Sequence, residues 1–277
     1  VSAEAEARYA AAEFRQTHHL GTQPLGDLVA LIEQTTGNDV AILDVGADEH
    51  GFTMRDQARG AVFIAVARTK NPMRQRSSLA HELAHVVFED WADDPHTSAD
   101  ERPHHEVRAD AFARHLLVPV EGVKEVIGEH PASLEELSRI VQLFEVSPPI
   151  AAIAMEQAGC IDAGVKSDWM SMNTAHLAAR YGWGDQYEAL RAQSDRRRAP
   201  QKLLKKAIDG YMEHLVSAET LATLRGVDVD EVVRGLSEEG ITPRACEVEW
   251  AAADDLPAVE VDFSDWEDDA EDEDLGE

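Results

Sequence analysis

Residues 77–88 read SSLAHELAHVVF, and residues 104–117 read HHEVRADAFARHLL. In the first stretch His81 and His85 stand four apart. On a helix that spacing puts both imidazoles on one face, where they can converge on one metal ion. An imidazole nitrogen is a ligand that zinc takes at about 2.0–2.1 Å. Glu82 is offset by about 100° around the helix, which sets its carboxylate beside the metal as a base for water rather than as a ligand. Leu79-Ala80 and Val86-Val87-Phe88 predict that this helix packs into a core.

A catalytic zinc needs a third protein ligand and an open position. A third His shortly after the HExxH pattern is excluded, because Phe88 and Trp91 occupy the equivalent places. Glu106 opens the next predicted helix, whose apolar side is Ala109, Phe112, Ala113, Leu116 and Leu117, so it is the preferred third ligand. Asp100, Glu101, His104 and His105 compete with it. Asp110 lies one turn after Glu106 on the same face. Metal-bound histidines usually donate their other N–H to a carboxylate, so Asp110 is expected to partner His81. The oxyanion donor is left open among His104, His105, Arg108, His115 and Tyr181.

RSSLAHELAH (76–85) followed by EVRADAFARHLLVP (106–119) resembles the ImmA/IrrE family of zinc metallo-endopeptidases. The resemblance covers roughly residues 5–120. It rests on Arg76, Ser77, Ser78, His81, Glu82, His85, Glu106, Ala109, Asp110, Phe112, Ala113, Leu116, Leu117 and Pro119. It implies a small thermolysin-like zincin domain followed by a helical, helix-turn-helix-like region. It also implies a Zn²⁺-dependent enzyme that cleaves a helix-turn-helix repressor and so induces genes of a mobile element or stress response.

The flanking sequence fits an α+β chain. Helices are expected at 2–17, with Tyr9 and Phe14 as anchors, and at Leu25–Thr36. Three short strands follow at Val40–Val45, Gly51–Arg55 and Ala61–Ala67. Their connections are too short for crossover helices, which predicts a mainly antiparallel sheet. Ala61–Ala67 is read either as a core strand or as an exposed edge on which an extended substrate adds. Asp93 to Pro103 reads as a loop. Ser133 and Glu136 form a capping box that opens a helix-turn-helix-like pair ending near residue 161, and residues 217–241 repeat that order loosely. The expected organisation is a zincin-like domain at 1–130, the helix-turn-helix-like segment at 131–165, a helical domain at 166–246 and an acidic tail at 247–277.

The chain has 277 residues, with 54 acids against 25 Lys plus Arg, for a net charge of −29. Such a balance argues against direct DNA binding through bulk charge and against an anionic membrane surface. About half of the excess lies in residues 247–277, which contain 15 acids and no Lys or Arg. Interleaved aromatics there suggest either a disordered docking segment or a solubilising tail. A basic strip runs through 191–206 (Arg191, Arg196, Arg197, Arg198, Lys202, Lys205, Lys206), read as a solvated face or as a docking strip. Two cysteines are too few for a disulfide framework or a Cys-based zinc site. The N-terminus lacks a signal-peptide layout and there is no 18-residue apolar run, so a cytoplasmic location is expected. Two alternatives to repressor cleavage stand beside it: a regulatory binding module with vestigial catalysis, and a toxin-like protease held by an adjacent antitoxin.

Overall fold

A computed structural model describes residues 2–45, 51–91, 103–128 and 132–245. Contacts divide the chain into Val1–Pro243 and Arg244–Glu277. The acidic tail and nearly all of the loop expected at 93–103 lie outside the described residues. The elements below belong to the first unit.

Helix α1 (Ala3–Thr17) starts at Ser2, whose Oγ accepts from Ala5 N at 3.3 Å. It buries Ala7, Ala11 and Phe14 against α4 (His104–Leu117), the small residues allowing close approach. Tyr9 is no anchor: it points away from that face and is 71 % exposed. Arg15 is buried at the same interface and donates to three carbonyls, Leu116 at 2.8 Å, Gly21 at 2.7 Å and Gln23 at 3.0 Å. Burial lowers its pKa to about 10. It therefore ties the end of α1 to the end of α4. Helix α2 (Leu28–Thr36) begins three residues later than the apolar pattern suggests, because Asp27 caps it, accepting from Ala30 N at 3.1 Å. Gly37, at φ 71°, ends it in a left-handed conformation that suits glycine.

The sheet comprises β1 (Asp39–Leu43), β2 (Gly51–Asp56) and β3 (Ala61–Ala67), in the order β1-β3-β2. It is mixed rather than mainly antiparallel: β2 pairs with β3 antiparallel, but β1 pairs with β3 parallel. The connection from β1 to β3 runs out through β2, so the parallel pair needs no crossover helix. The near-continuous apolar run of β3, AVFIAVA, suits a central strand, and Ala61–Ala67 is accordingly not an edge. The far edge of β1 is met by Arg198, which exchanges hydrogen bonds of 2.9 and 3.0 Å with Ile42. The outer edge of β2 has no strand beside it among the described residues.

Helix α3 (Pro72–Val87) crosses β2 and β3 on one side and α4 on the other. Helices α5 (Val120–Ile127), α6 (Leu134–Phe144), α7 (Pro148–Gln157), α8 (Ala163–Trp169), α9 (Thr174–Arg180) and α10 (Gly184–Ser194) follow. One hydrophobic core runs continuously from Ala7 to Tyr187. The capping box forms as expected, with the Ser133 N–H donating to Glu136 Oε2 at 2.9 Å. The α6–α7 pair is helix-turn-helix-like in order, yet both helices belong to that core: Leu137, Ile140, Val141 and Phe144 of the first and Ala151, Ala152, Ala154 and Met155 of the second are buried.

Helices α11 (Gln201–Met212), α12 (Ala218–Arg225) and α13 (Val229–Glu238) close a second, smaller core on Ala207, Leu221, Ala222, Val232 and Leu236. Residues 217–241, the loose repeat, therefore pack on α11. The basic strip 191–206 is not one free face. Arg191 pairs with Glu188 at 2.7 Å, Arg198 with Asp27 at 2.6 Å and Lys205 with Asp209 at 2.7 Å, while Lys202 donates to the Gly37 carbonyl. No described helix is long and apolar enough to cross a membrane.

Candidate metal centre

Helix α3 carries three of the expected side chains. Asn71 caps it, accepting from Arg74 N at 3.2 Å, and Pro72 fits its first turn, where a missing N–H costs nothing. Leu79, Ala80, Leu83 and Ala84 anchor it in the core. His81 and His85 then face α4, while Glu82 faces β2.

The helix ends in a Schellman turn. Glu89 N bonds Val86 O at 3.2 Å, and Asp90 N bonds His85 O at 2.9 Å. Glu89 takes a left-handed φ of 55°, where glycine is usual. That non-glycine conformation costs about 1 kcal/mol. Its result is to fold Asp90 back beneath His85.

Helix α4 brings the second stretch against the first. Ala109, Phe112, Ala113 and Leu116 are buried, and Glu106 and Asp110, at helical spacing beside Ala109 and Ala113, are presented to α3. His81 Nε2 lies 3.2 Å from His85 Nε2 and 3.2 Å from Glu106 Oε2, and His85 Nε2 lies 3.6 Å from Glu106 Oε1. Among the described residues these three form a group able to hold a metal. The fit can be tested by geometry. Ligands about 2.05 Å from a tetrahedral ion stand about 3.3 Å apart, and the three separations bracket that value. Two nitrogens and a carboxylate oxygen are also a donor set that zinc accepts.

A carboxylate stands behind each imidazole. Asp110 Oδ1 sits 2.8 Å from His81 Nδ1. The corresponding group for His85 is Asp90, whose Oδ2 is 3.6 Å from Nδ1. Asp90 Oδ1 accepts from Arg108 at 2.7 Å; Arg108 also bonds Glu6 of α1 at 3.2 Å and lies over the Phe88 ring. Burial lowers the His81 pKa, but the Asp110 hydrogen bond and the charges of Asp110, Glu106 and Glu82 outweigh it and raise it overall. Burial raises the Glu82 pKa, against the opposing effects of Thr53, His81 and His85. A raised pKa makes Glu82 a better proton acceptor.

Glu82 is held from the sheet side. Thr53 Oγ1 donates to Glu82 Oε2 at 2.8 Å and approaches the Glu82 carbonyl at 3.2 Å. Gly51, on the same face of β2, leaves the room Glu82 needs: a Cβ there would stand 2.8 Å from Oε1.

Of the competing third ligands, Asp100 and Glu101 lie outside the described residues. His104 and His105 are exposed on the first turn of α4. His105 adjoins the cluster, 3.5 Å from Glu106 Oε1. His115 does not: it is buried on the α1 side, 2.8 Å from Glu4. Tyr181, just past the end of α9, lies beside Arg180. Thr53 and Asp90 were not legible beforehand. A threonine in a short strand carries no mark, and Asp90 depends on a turn that Glu89 does not advertise.

Residues 36–156 match the family model described as the IrrE N-terminal-like domain (Peptidase_M78). No curated protein matches the chain at a significant level.

Proposed function

We propose that this chain, whose residues 36–156 belong to the ImmA/IrrE metallopeptidase family, is a zinc-dependent endopeptidase that cuts a helix-turn-helix repressor and so releases the genes it silences. The observation that carries the metal-dependent part is the cluster of His81, His85 and Glu106 at separations of 3.2–3.6 Å, with the Glu82 carboxylate beside it.

The Nε2 atoms of His81 and His85 and the carboxylate of Glu106 would hold the ion. Asp110 accepts from His81 Nδ1–H, which fixes the tautomer that leaves Nε2 free to ligate. A zinc ion in such a site supplies Lewis acidity, acidifying water and polarising a carbonyl oxygen. Glu82 takes the proton from the attacking water and delivers it to the nitrogen of the departing amine. Among the described residues the outer edge of β2 has no strand beside it, and along that edge main-chain hydrogen bonds would hold an extended substrate beside Glu82.

The repressor as substrate follows from the family resemblance. The acidic balance of the chain supports it, because a basic DNA-binding protein is attracted to an acidic one. Direct DNA contact has no part in this reading: α7 is largely buried, and its last turn offers Glu156 and Gln157 rather than bases. A repressor substrate also implies work in the cytoplasm.

Co-expression with a candidate helix-turn-helix repressor, followed by mass spectrometry of fragments with and without chelator, tests the reading. Glu82→Gln should retain zinc and leave the repressor intact. Cleavage at the wild-type rate by that variant, or fragments that persist under chelation, would refute it.

A further inference from the structure

We propose that Thr53 is a positioning residue for Glu82: its hydroxyl clamps one carboxylate oxygen so that the other is presented to accept the proton. The inference rests on the metallopeptidase reading above and adds to it a residue outside both sequence motifs.

The argument begins with the strand. In β2 alternate residues share a face, so Gly51, Thr53 and Arg55 lie together, with Phe52 and Met54 opposite. The first face meets α3 and its C-terminal turn: Thr53 reaches Glu82, and the Arg55 guanidinium lies 5.2 Å from the centre of the Trp91 ring. Phe52 and Met54 are about half exposed. Glu82 itself is 7 % exposed. A glutamate in such a place has three side-chain torsions to fix and a carboxylate to satisfy.

Two features of β2 do this. Gly51 leaves a gap for Oε1, since a Cβ would lie 2.8 Å from it and 3.0 Å from Cγ. Thr53 fills the other side, with Oγ1 2.8 Å from Oε2. A threonine hydroxyl has one proton to give. The contact to Oε2 is shorter than the 3.2 Å contact to the Glu82 carbonyl, so the proton goes chiefly to the carboxylate. Oε1 makes no hydrogen bond to another described residue and is left as the acceptor. Had Thr53 served only to fasten α3 to the sheet, the carbonyl would hold the closer contact.

The test uses the full-length chain loaded with Co²⁺, whose visible spectrum reports its ligands, and acetohydroxamate as the probe. A hydroxamate chelates the ion and gives a proton to the neighbouring base, so its affinity reads the position of Glu82 without any substrate. Thr53→Val keeps the side-chain shape and removes the hydroxyl; Thr53→Ser keeps the hydroxyl. We expect Thr53→Val to bind Co²⁺ as the wild type does and acetohydroxamate about 10- to 100-fold more weakly, the range seen when groups that orient a metal site are removed. Thr53→Ser should recover to within about threefold. Wild-type acetohydroxamate affinity in Thr53→Val overturns the proposal. So does loss of Co²⁺ in that variant, which would mark Thr53 as a fastener of α3, and so does failure of Thr53→Ser to recover. If the wild-type chain takes up no Co²⁺, the metallopeptidase reading itself falls, and the role of Thr53 with it.

Discussion

Asp110→Asn isolates one charge at the candidate metal centre. Asparagine keeps an oxygen able to accept from His81 Nδ1, where the two atoms now stand 2.8 Å apart, so the ring orientation survives and the negative charge is lost. A hydrogen bond to a charged group is worth about 1.5–3 kcal/mol. The Asp110 side chain is 44 % exposed, and solvent screening reduces the figure to about 1–1.5 kcal/mol. At about 1.4 kcal/mol per tenfold, zinc affinity should fall about tenfold. That is the lower end of the range for carboxylates behind ligating histidines. Competition against a chromophoric chelator at neutral pH measures it, with His81→Ala as the control that abolishes binding. The melting temperature of the metal-free protein should scarcely move, which separates an effect on the metal from one on the fold. Zinc affinity within twofold of wild type, with the control behaving as stated, would refute the assignment of Asp110 as the partner of a ligating His81.

Two further substitutions probe the surroundings. Gly51→Ala should keep zinc but displace Glu82, because the added Cβ meets Oε1 at 2.8 Å and the Ala65 carbonyl at 3.2 Å; we expect repressor cleavage to drop about 100-fold and stability by about 1–3 kcal/mol, measured by fragment yield and by urea unfolding. Glu4 bridges α1 to α4 and α7, and although burial opposes it, hydrogen bonds from Arg114, His115 and Gln157 hold its pKa down at about 2. Because the folded value lies below the unfolded 4.5, its stabilisation is full above pH 4.5 and drains away as pH falls toward 2. With 45 % of the side chain exposed, about 1 kcal/mol is at stake. Glu4→Gln should cost that much near neutrality and flatten the dependence of stability on pH between 4.5 and 3; an unchanged slope in acid unfolding would show that the bridge does not matter.

The parts of the fold that were legible in the sequence are those fixed by near neighbours. The bounds of α4 follow from its apolar period and Pro119 after it. The HExxH spacing and the offset of Asp110 from Glu106 are helical geometry and need no tertiary knowledge. The start of α2 is a local matter too, but there the apolar run beginning at Leu25 masked the cap at Asp27. Strand order is different in kind. Pairing β1 with β3 across the whole of β2 is a choice among distant partners: the apolar run of β3 suits a central place, but nothing within either strand sets the parallel direction. The same holds for Thr53, whose role exists only because β2 lies against α3. It holds as well for Asp90, which is carried to His85 by a left-handed glutamate where glycine would have been the signal.

The continuous core from Ala7 to Tyr187 has a consequence for what counts as the enzyme. The region of family likeness starts at Thr36 and stops at Glu156, so it leaves out α1, the Arg15 clamp, Glu4 and Glu6, and on the other side Trp183 and Tyr187. Kinship and cooperativity thus draw different borders on one polypeptide. A protease or a rising temperature would find no seam at residue 36, because α4 is covered by a helix lying upstream of the matched stretch. Trimming to the matched segment would uncover the back of the helix that presents Glu106 and release the anchor of Arg108 at Glu6. The segment matched by the family model is therefore smaller than the unit that packs as one core.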